Sequence, residues 1–507
     1  MPASRGRPRI SSRTAKKSHP VAAGVKAAYL ARVPSDPRPP RFESIAASDP
    51  LGAARALAQL PYPFLLHSSA SGGRARWSFF GADPFAVFGP DGYHGARATW
   101  RALATPRRDE PPDLARIPFT GGLVGYWAYD FGRRLERLPA LAADDLRLPD
   151  VLLGLYDVVG AFDHHAGRAW AISSGRPLAG EAGTRRAEER LRWLVALLAA
   201  PHREAAEPLP ARAASGHPRS TFTADGYRAA VAQVKERIAA GDIFQANLSQ
   251  RWTLPLASAS PTARALALSG TLAACSPAPH AAFFGAPDHA IASASPERFL
   301  ELRGRRVETR PIKGTRPRAG DPFEDRRLAA ELLASVKDRA ENVMIVDVLR
   351  NDLGRVCEAG SVATTGLCEL EAFPQVFHLT STVTGMLAEG RDAFDLLHAS
   401  FPGGSITGAP KIRAMEVLER IEPVRRHLYT GSLGYLDWGG DADWNIAIRT
   451  AIVTDAAIHF AAGGGITADS DPDAEYRETL DKAEGMRLAL EQLAGPLALA
   501  PLPVARP

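Results

Sequence analysis

The sequence predicts an α+β protein built on antiparallel β-sheets. Strand-type segments occur as neighbouring runs joined by short turns, which is typical of β-hairpins. The helical patterns stand in segments of their own, unlike the strict strand–helix alternation of a doubly wound fold. The chain has 507 residues, of which 45% are hydrophobic and 23% charged. It is therefore long enough to form one large or two ordinary domains.

The amino-acid composition indicates in which cellular compartment the protein works. No run of about 18 uncharged apolar residues is present, so we expect no transmembrane helix and no membrane partner. The N-terminus lacks an apolar segment ahead of small residues, so we expect no secretory signal. The three cysteines, Cys275, Cys357 and Cys368, are scattered without a C-x-x-C pair. This pattern favours a cytoplasmic protein and neither a zinc site nor a disulfide framework.

The net charge of +5 is unevenly distributed. Residues 1–41 contain ten Lys or Arg residues and one Asp, whereas the remainder is slightly acidic. This segment is also rich in Pro, Ser and Ala, so we expect a disordered basic extension. We interpret it as inert or as a mistaken start site and expect no nucleic-acid partner. Salt-sensitive nucleic-acid binding that is lost on deleting residues 1–41 would support the alternative.

The first half of the chain carries mainly strand patterns. Short apolar runs alternate with turns over Phe64–Phe88, and strands are predicted over Leu123–Tyr129 and Val151–Phe162. A helix is predicted over Glu181–Leu198. Residues 201–219 are rich in Ala and Pro without periodicity, so we place a linker there.

The second half opens with a helix that Thr223 caps and Gly241 ends. A strand over Asp242–Arg251 follows, and the later elements are predicted from the same kinds of pattern. These are a long helix at Pro322–Asn351, a helix at Lys411–Ile421, strands at Gly431–Trp438, Trp444–Thr454 and Ala456–Ala462, and, after Gly463–Gly465, a final helix at Pro472–Leu493.

The stretch Ser295–Thr315 carries the clearest chemical signal. Two strand runs, Phe299–Leu302 and Arg306–Ile312, flank a turn at Gly304, which predicts a β-hairpin. The pairing would bring Glu297 beside Lys313 at the open end. An acid and an amine beside a glycine indicate acid-assisted nucleophilic chemistry. A surface hairpin with a solvated ion pair is the alternative.

Two acidic pairs stand at i, i+3 on separate predicted helices: Asp338 with Glu341, and Glu475 with Glu478. All-oxygen ligands favour Mg²⁺, which binds best when substrate oxygens complete its shell. Ordinary solvated helix faces are the alternative, because each pair has basic neighbours: Lys337, Arg339, Arg477 and Lys482.

Small residues over Gly403–Lys411 resemble an anion-binding loop before a helix, with Lys411 as a candidate substrate-binding cation. Arg449 is predicted to lie in an apolar strand, where its guanidinium needs a buried acceptor. A substrate carboxylate and an internal ion pair would serve equally well.

These motifs together resemble the chorismate-utilising enzymes, and within them the aminodeoxychorismate synthase branch. The resemblance covers about residues 220–495 in the family's order. The first half matches more loosely, at Leu65–Ser68 and Gly121–Tyr126. The matching segments are Gly241–Gln250, Ser295–Phe299, Arg310–Thr315, Lys337–Asp347, Arg350–Arg355, Phe401–Lys411, Ile446–Thr450 and Asp469–Tyr476.

The resemblance implies an α/β sandwich in which both halves of the chain contribute to two packed sheets. The implied organisation is a basic extension (1–41), an N-terminal lobe (42–200), a linker (201–219), a chorismate-binding catalytic region (220–495) and a tail (496–507).

The resemblance also implies residue roles. Lys313 would be the nucleophile, Glu297 the general acid and His378 an active-site histidine, for which a packed structural histidine is the alternative. Mg²⁺ would be held by Glu341 and Glu478, with Asp338 and Glu475 in support. The carboxylates of chorismate would be bound by Thr407, Arg449, Gly463, Gly464 and Gly465.

Two features of the sequence indicate which branch of the family the chain resembles and whether it needs a partner subunit. Anthranilate synthases carry alanine at the position of Lys313, so the lysine favours aminodeoxychorismate synthase; anthranilate synthase component I remains the alternative. None of the cysteines lies in the Gly-x-Cys-x-Gly setting of a glutamine amidotransferase. We therefore expect a separate amidotransferase subunit to supply ammonia. We also expect another enzyme to catalyse the elimination of pyruvate that gives 4-aminobenzoate.

Overall fold

The computed structural model describes residues 38–46, 49–70, 75–106, 111–200, 217–373, 376–494 and 497. Nearly all of the predicted basic extension, most of the linker and most of the tail lie outside these residues. The strands are β1 Arg41–Ile45, β2 Phe64–His67, β3 Trp77–Gly81, β4 Ala86–Phe88, β5 Gly122–Trp127, β6 Val151–Tyr156, β7 Val158–Asp163, β8 Arg168–Ser173, β9 Arg219–Ser220, β10 Gln245–Pro255, β11 His280–Gly285, β12 His289–Ser295, β13 Arg298–Arg303, β14 Arg306–Thr309, β15 Ile312–Pro317, β16 Ala363–Ala372, β17 Val376–Met386, β18 Gly408–Ala409, β19 Ser432–Asp437, β20 Ala442–Asn445, β21 Thr450–Thr454 and β22 Ala457–Ile466.

Helices lie between and around these strands. They are α1 Pro50–Leu57, α2 Tyr93–Leu103, α3 Pro112–Ala115, α4 Gly132–Leu135, α5 Gly180–Ala199, α6 Ala224–Ala239, α7 Pro261–Cys275, α8 Pro322–Ala334, α9 Val336–Gly354, α10 Ala393–Ser400, α11 Lys411–Ile421 and α12 Pro472–Ala494, with 3₁₀ turns at Pro90–Gly92, Tyr129–Phe131 and Gly404–Ile406. Among the described residues, no helix combines the length and apolar character that a bilayer span requires.

The strands form two antiparallel sheets, which confirms the predicted class. The larger sheet has 12 strands in the order β1-β8-β7-β3-β2-β11-β12-β21-β22-β10-β18, with β9 paired to β10. The smaller sheet has 10 strands in the order β15-β17-β14-β13-β20-β19-β5-β6-β4, with β16 paired to β17.

The two sheets pack face to face, and helices cover their outer faces. Alternation along β5 shows the arrangement: Val124 and Tyr126 point into the core between the sheets, whereas Leu123 and Trp127 point into the core under α2, α9 and α10. A third core lies between the larger sheet and helices α1, α5, α7 and α12. Both faces of the central strands are therefore apolar.

Both halves of the chain contribute to both sheets. In the larger sheet β2 pairs with β11, and in the smaller sheet β5 pairs with β19. The region 201–219 therefore separates segments that share their sheets.

Several predicted elements are confirmed with nearly their predicted limits, including α5, α11 and α12. Thr223 caps α6 as predicted, since its side chain accepts a hydrogen bond from the Gly226 N–H. Gly241 follows the helix with a φ of 77°.

Three predicted elements are wrong in their continuity. The long helix at 322–351 is two helices that break at Ser335, whose side chain accepts the Asp338 N–H and so starts α9. The predicted strands 151–162 and 444–454 are each two strands that lie in different sheets. Apolar residues lie on both sides of Asp157 and of the segment Asn445–Arg449, so the pattern did not mark the change of sheet.

Candidate active site

A cavity of about 590 Å³ opens between β15 of the smaller sheet and β22 of the larger sheet. Helices α9 and α12 and the 3₁₀ turn at 404–406 complete its wall. The structure brings nine of the predicted site residues to this cavity: Glu297, Lys313, Asp338, Glu341, His378, Arg449, Gly463, Gly465 and Glu478.

The hairpin predicted around Gly304 is confirmed and sets the position of Glu297. Arg303 pairs with Arg306, which leaves Gly304 and Arg305 as a two-residue turn. The segment before β13 therefore meets the start of β15, where the Ile312 backbone lies close enough to the Glu297 carboxylate to lower its pKa. Glu297 thus lies next to the strand that carries the lysine.

Lys313 lies in a bulge of β15. Ile312 pairs with Thr380 and Thr315 with His378, so three steps along β15 match two along β17. Such an extra residue changes the direction of the side chains around it. Gly314, with a φ of 81°, is needed here because an added Cβ would lie 2.8 Å from Leu332 Cδ1.

Glu297 is held in a form that can donate a proton. It is only 4% exposed, and burial raises the pKa of Glu297 to about 7. A hydrogen bond with Ser405, the charge of Lys313 and the Ile312 N–H act in the opposite direction but do not cancel it. Near neutral pH a substantial fraction of this side chain is therefore a carboxylic acid.

The pKa of Lys313 moves the other way. Burial lowers the pKa of Lys313 most, and the neighbouring ammonium group of Lys482 lowers it further. Glu341, Glu297 and Glu478 oppose this shift. The neutral amine, which is the nucleophilic form, is therefore more accessible here than in water.

His378 forms part of the cavity wall as a neutral side chain. Its Nδ1 lies 2.9 Å from Thr315 Oγ1 across the β15–β17 ladder. Burial, together with the charge of Arg449, lowers the pKa of His378 to about 3. The imidazole is therefore uncharged at physiological pH and can donate or accept one hydrogen bond at each nitrogen.

Arg449 reaches the cavity from a turn and not from the predicted strand. It lies between β20 and β21 with a φ of 49°, and its backbone carbonyl accepts a hydrogen bond from the Ala294 N–H. Within the described residues no carboxylate pairs with its guanidinium, and burial lowers its pKa. This arrangement leaves the guanidinium available to an acidic ligand.

Three carboxylates converge on Gly464 and Gly465. The sequence places these glycines after the last predicted strand, in a connection to α12. In the structure they belong to β22. A Cβ on Gly464 would lie 2.8 Å from Glu475 Oε2 and 3.5 Å from Glu478 Oε1, and one on Gly465 would lie 3.6 Å from Glu341 Oε2. Glycine in the strand thus lets the acids approach the backbone.

The acids affect one another. Burial raises the pKa values of Glu341 and Glu475, and the charge of Glu478 raises both further. Burial would also raise the pKa of Glu478, but Lys482, Lys337 and Lys313 lower it overall. Asp338 is turned toward Arg316, with which it makes a 3.4 Å ion pair.

The cluster fits a hydrated magnesium ion. In the described part of the chain, no group of three or more His, Cys, Asp or Glu side chains has the arrangement of a complete metal site. Mg²⁺ needs only one or two protein carboxylates when water and substrate supply its other oxygens. Glu475 Oε2 is buried without a hydrogen-bond partner, and a nearby cation would offset the cost of that burial.

The model of a family described as chorismate binding enzymes matches residues 63–487. The chain belongs to the chorismate-binding enzyme family. It is 39% identical to aminodeoxychorismate synthase component 1 of Bacillus subtilis, over 86% of this chain and 93% of the relative. It is 42% identical to anthranilate synthase component 1 of Streptomyces coelicolor, over 88% and 87%.

A solved structure of the same family supports the fold assignment. The anthranilate synthase component I from Streptococcus pneumoniae superposes with a TM-score of 0.71 at 30% identity, covering 82% of this chain and 93% of that chain. The family resemblance seen in the sequence motifs is thus confirmed.

Three predicted substrate-binding residues of this family member lie outside the cavity lining: Gly464, whose strand position faces Glu475, and Thr407 and Lys411. Thr407 is fully buried, and its hydroxyl donates to the Gly403 and Gly404 carbonyls at 3.1 and 3.3 Å. Lys411 Nζ lies 2.6 Å from Asp352 Oδ2 and 2.8 Å from the Ser400 carbonyl. Both side chains fix the loop in this structure instead of facing the cavity.

Lys482, Lys337 and Ser405 are cavity residues to which the sequence interpretation gave no role. The two lysines were read only as basic neighbours of the acidic pairs, and Ser405 only as a small loop residue. The spacing of Glu478 and Lys482 at i, i+4 signals an ion pair on one helix face, but it does not show that this face meets a cavity.

Proposed function

We propose that this chain is the large subunit of an aminodeoxychorismate synthase. It converts chorismate and ammonia to 4-amino-4-deoxychorismate, which supplies 4-aminobenzoate and folate biosynthesis. A separate glutamine amidotransferase subunit delivers the ammonia, and the expected location is the cytoplasm.

The observation that carries this proposal is the placement of Lys313. Relatives named aminodeoxychorismate synthase and relatives named anthranilate synthase are similarly close, so sequence identity does not separate the two activities. Lys313 lies in the cavity beside a buried acid, with its pKa lowered. The family resemblance gives anthranilate synthases an alanine at this position, which could not act as a nucleophile.

The mechanism uses opposite protonation states of two residues. The neutral amine of Lys313 attacks C2 of chorismate, both ring double bonds shift toward C4, and the C4–O bond breaks as Glu297 gives its proton to the departing hydroxyl. Water leaves, and the lysine nitrogen remains bonded to C2 as a secondary ammonium. Ammonia then attacks C4, both double bonds shift back, and the C2–N bond breaks to release the neutral lysine. The Glu297 carboxylate takes a proton from the new ammonium group at C4 and is restored.

The rest of the cavity holds the substrate. We expect Arg449 to pair with one substrate carboxylate and neutral His378 to hydrogen-bond a substrate oxygen, because both line the cavity. Glu341 and Glu478 would hold Mg²⁺, which would supply positive charge to offset the ring carboxylate of chorismate beside this acidic cluster.

The experiment that tests the function is product analysis. The purified chain is incubated with chorismate, ammonium and Mg²⁺, and the products are separated by chromatography. We expect 4-amino-4-deoxychorismate. Anthranilate as the main product would replace this proposal with anthranilate synthase component I, the second candidate that the relatives support.

Magnesium dependence is a separate prediction. Glu341→Gln and Glu478→Gln should each lower turnover by at least about 100-fold while leaving the melting temperature near that of the wild type, because a carboxamide is a weaker Mg²⁺ ligand than a carboxylate. Glu484→Gln is the matched control, since Glu484 pairs with Arg487 away from the cavity. Full activity in excess EDTA would contradict the metal requirement.

A further inference from the structure

Two of the three carboxylates around Gly464 and Gly465 are paired with an ammonium group. Lys482 Nζ lies 2.6 Å from Glu478 Oε1, and Lys337 Nζ lies 3.6 Å from Glu475 Oε1. The third acid, Glu341, is attracted chiefly by Lys313. Lys482 and Lys337 thus each pair with one acid of the cluster without any added cation.

A divalent cation needs the oxygens that these lysines hold. Glu478 Oε1 faces both the Gly464 backbone and the Lys482 ammonium. Two cations placed on one carboxylate oxygen repel each other strongly where water is partly excluded. Entry of the metal therefore requires Lys482, and to a smaller extent Lys337, to move away.

Both lysines can move at low cost. Their side chains are 47% and 52% exposed, and both line the cavity. The other hydrogen bond of Lys482, to the Gly463 carbonyl at 3.0 Å, lies on the cavity wall. A displaced ammonium group therefore remains in the cavity, where a dicarboxylate substrate would accept it.

We propose that Lys482 and Lys337 are exchangeable counter-cations that hold the carboxylate cluster until a divalent cation displaces them. The inference rests on the proposed function, because it assumes the magnesium requirement. It assigns the lysines a role that opposes metal binding in the free enzyme. Displacement frees positive charge for the substrate, so the metal prepares the cavity for chorismate.

The test measures metal binding alone, without chorismate or ammonia. Mn²⁺, a paramagnetic substitute for Mg²⁺, is titrated into the full chain, and free Mn²⁺ is followed by electron paramagnetic resonance. Lys482→Met removes the charge but keeps most of the side chain. It should tighten Mn²⁺ binding by about two- to fivefold, the range expected for a partly exposed ion pair. Lys337→Met should tighten it less, because its ion pair is longer.

Arg477→Met is the matched control on the same helix. Its guanidinium is exposed and contacts the Asp473 carbonyl, so its removal should leave Mn²⁺ affinity unchanged. Unchanged or weaker Mn²⁺ binding in Lys482→Met would overturn the inference, and so would equal tightening in Arg477→Met. If the wild type binds Mn²⁺ and the lysine variants bind it no more tightly, the proposed displacement of the lysines is wrong, but the magnesium requirement is not contradicted. If no variant binds Mn²⁺, the magnesium requirement fails with it, while product identity is measured independently.

Discussion

At the scale of single residues, one physical cause prepares both partners of the proposed reaction. Burial disfavours charge, so it raises the pKa of the acid Glu297 and lowers the pKa of the base Lys313. Their mutual attraction opposes both shifts without cancelling either. The pair therefore approaches the neutral forms that proton donation and nucleophilic attack require.

The raised pKa of Glu297 makes a prediction about stability. Because the folded-state pKa of about 7 exceeds the ordinary value of 4.5, the folded state binds the proton more tightly than the unfolded state. The stability that this proton provides is full below about pH 4.5 and is lost as pH rises through 7. Glu297→Gln, which stays neutral, should therefore gain stability relative to wild type between pH 5 and 8, by about 3 kcal/mol at most.

Urea unfolding of both proteins at pH 5 and pH 8 checks this expectation. Glu484→Gln, which alters an exposed ion pair, should show no such change with pH. A difference between Glu297→Gln and wild type that stays constant with pH would contradict the assigned protonation.

The sequence identified Glu297, Lys313 and the acidic pairs, because their residue types and spacing are visible without a structure. It missed the roles of Lys482 and Ser405, because a helical lysine or a loop serine shows nothing of the cavity it faces. It placed Arg449 in a strand, because an apolar segment does not show a residue with positive φ between two strands.

At the scale of elements, the bulge in β15 controls the site. It presents Lys313 to the cavity, and Gly314 lets α8 and α9 pack against the strand. The hairpin turn at Gly304 also has positive φ, but nothing lies within 4 Å of an added Cβ there. A side chain at Gly304 would suffer backbone strain alone, whereas one at Gly314 would suffer strain and also a steric clash. Comparing substitutions at the two positions therefore distinguishes the two effects.

Gly314→Ala should cost about 2 to 4 kcal/mol of stability and lower turnover at least about tenfold, because strain and a clash with Leu332 and Asp338 add together. Gly304→Ala should cost about 1 kcal/mol and keep near-normal turnover. Urea unfolding and steady-state kinetics measure both effects. Equal losses in the two variants would contradict the role assigned to the bulge.

Element types were predictable from periodicity, but their continuity was not. The break at Ser335 depends on a local cap, and the corners at Asp157 and between Asn445 and Thr450 depend on which sheet accepts the next strand. Asp157 is buried at its corner, where Arg186 and Arg190 pair with it. Such long-range pairing decides where a strand ends and cannot be read from the local apolar pattern.

At the scale of the whole molecule, the cavity is formed by both sheets and by helices from distant parts of the chain. Its described residues run from Asn247 to Lys482. None of the three cysteines has the Gly-x-Cys-x-Gly setting, and Cys357 and Cys368 are buried. None of these thiols therefore has the sequence setting of a glutamine amidotransferase nucleophile.

The purified chain should therefore form product with ammonium but not with glutamine. Chromatographic product analysis with each nitrogen source measures this directly. Glutamine-dependent product from highly purified protein, without a second subunit, would overturn the proposed partner.

Mass spectrometry can show whether Lys313 acts as a covalent nucleophile. The enzyme is incubated with chorismate and Mg²⁺ without ammonia and then digested. The peptide containing Lys313 should gain the mass of chorismate less one water, and Lys313→Ala should give neither this adduct nor turnover. Lys313→Arg should also be inactive, because a guanidinium that stays protonated has no free lone pair. An unmodified peptide, together with near-normal turnover in Lys313→Arg, would show that the lysine acts only by its charge and would contradict the account.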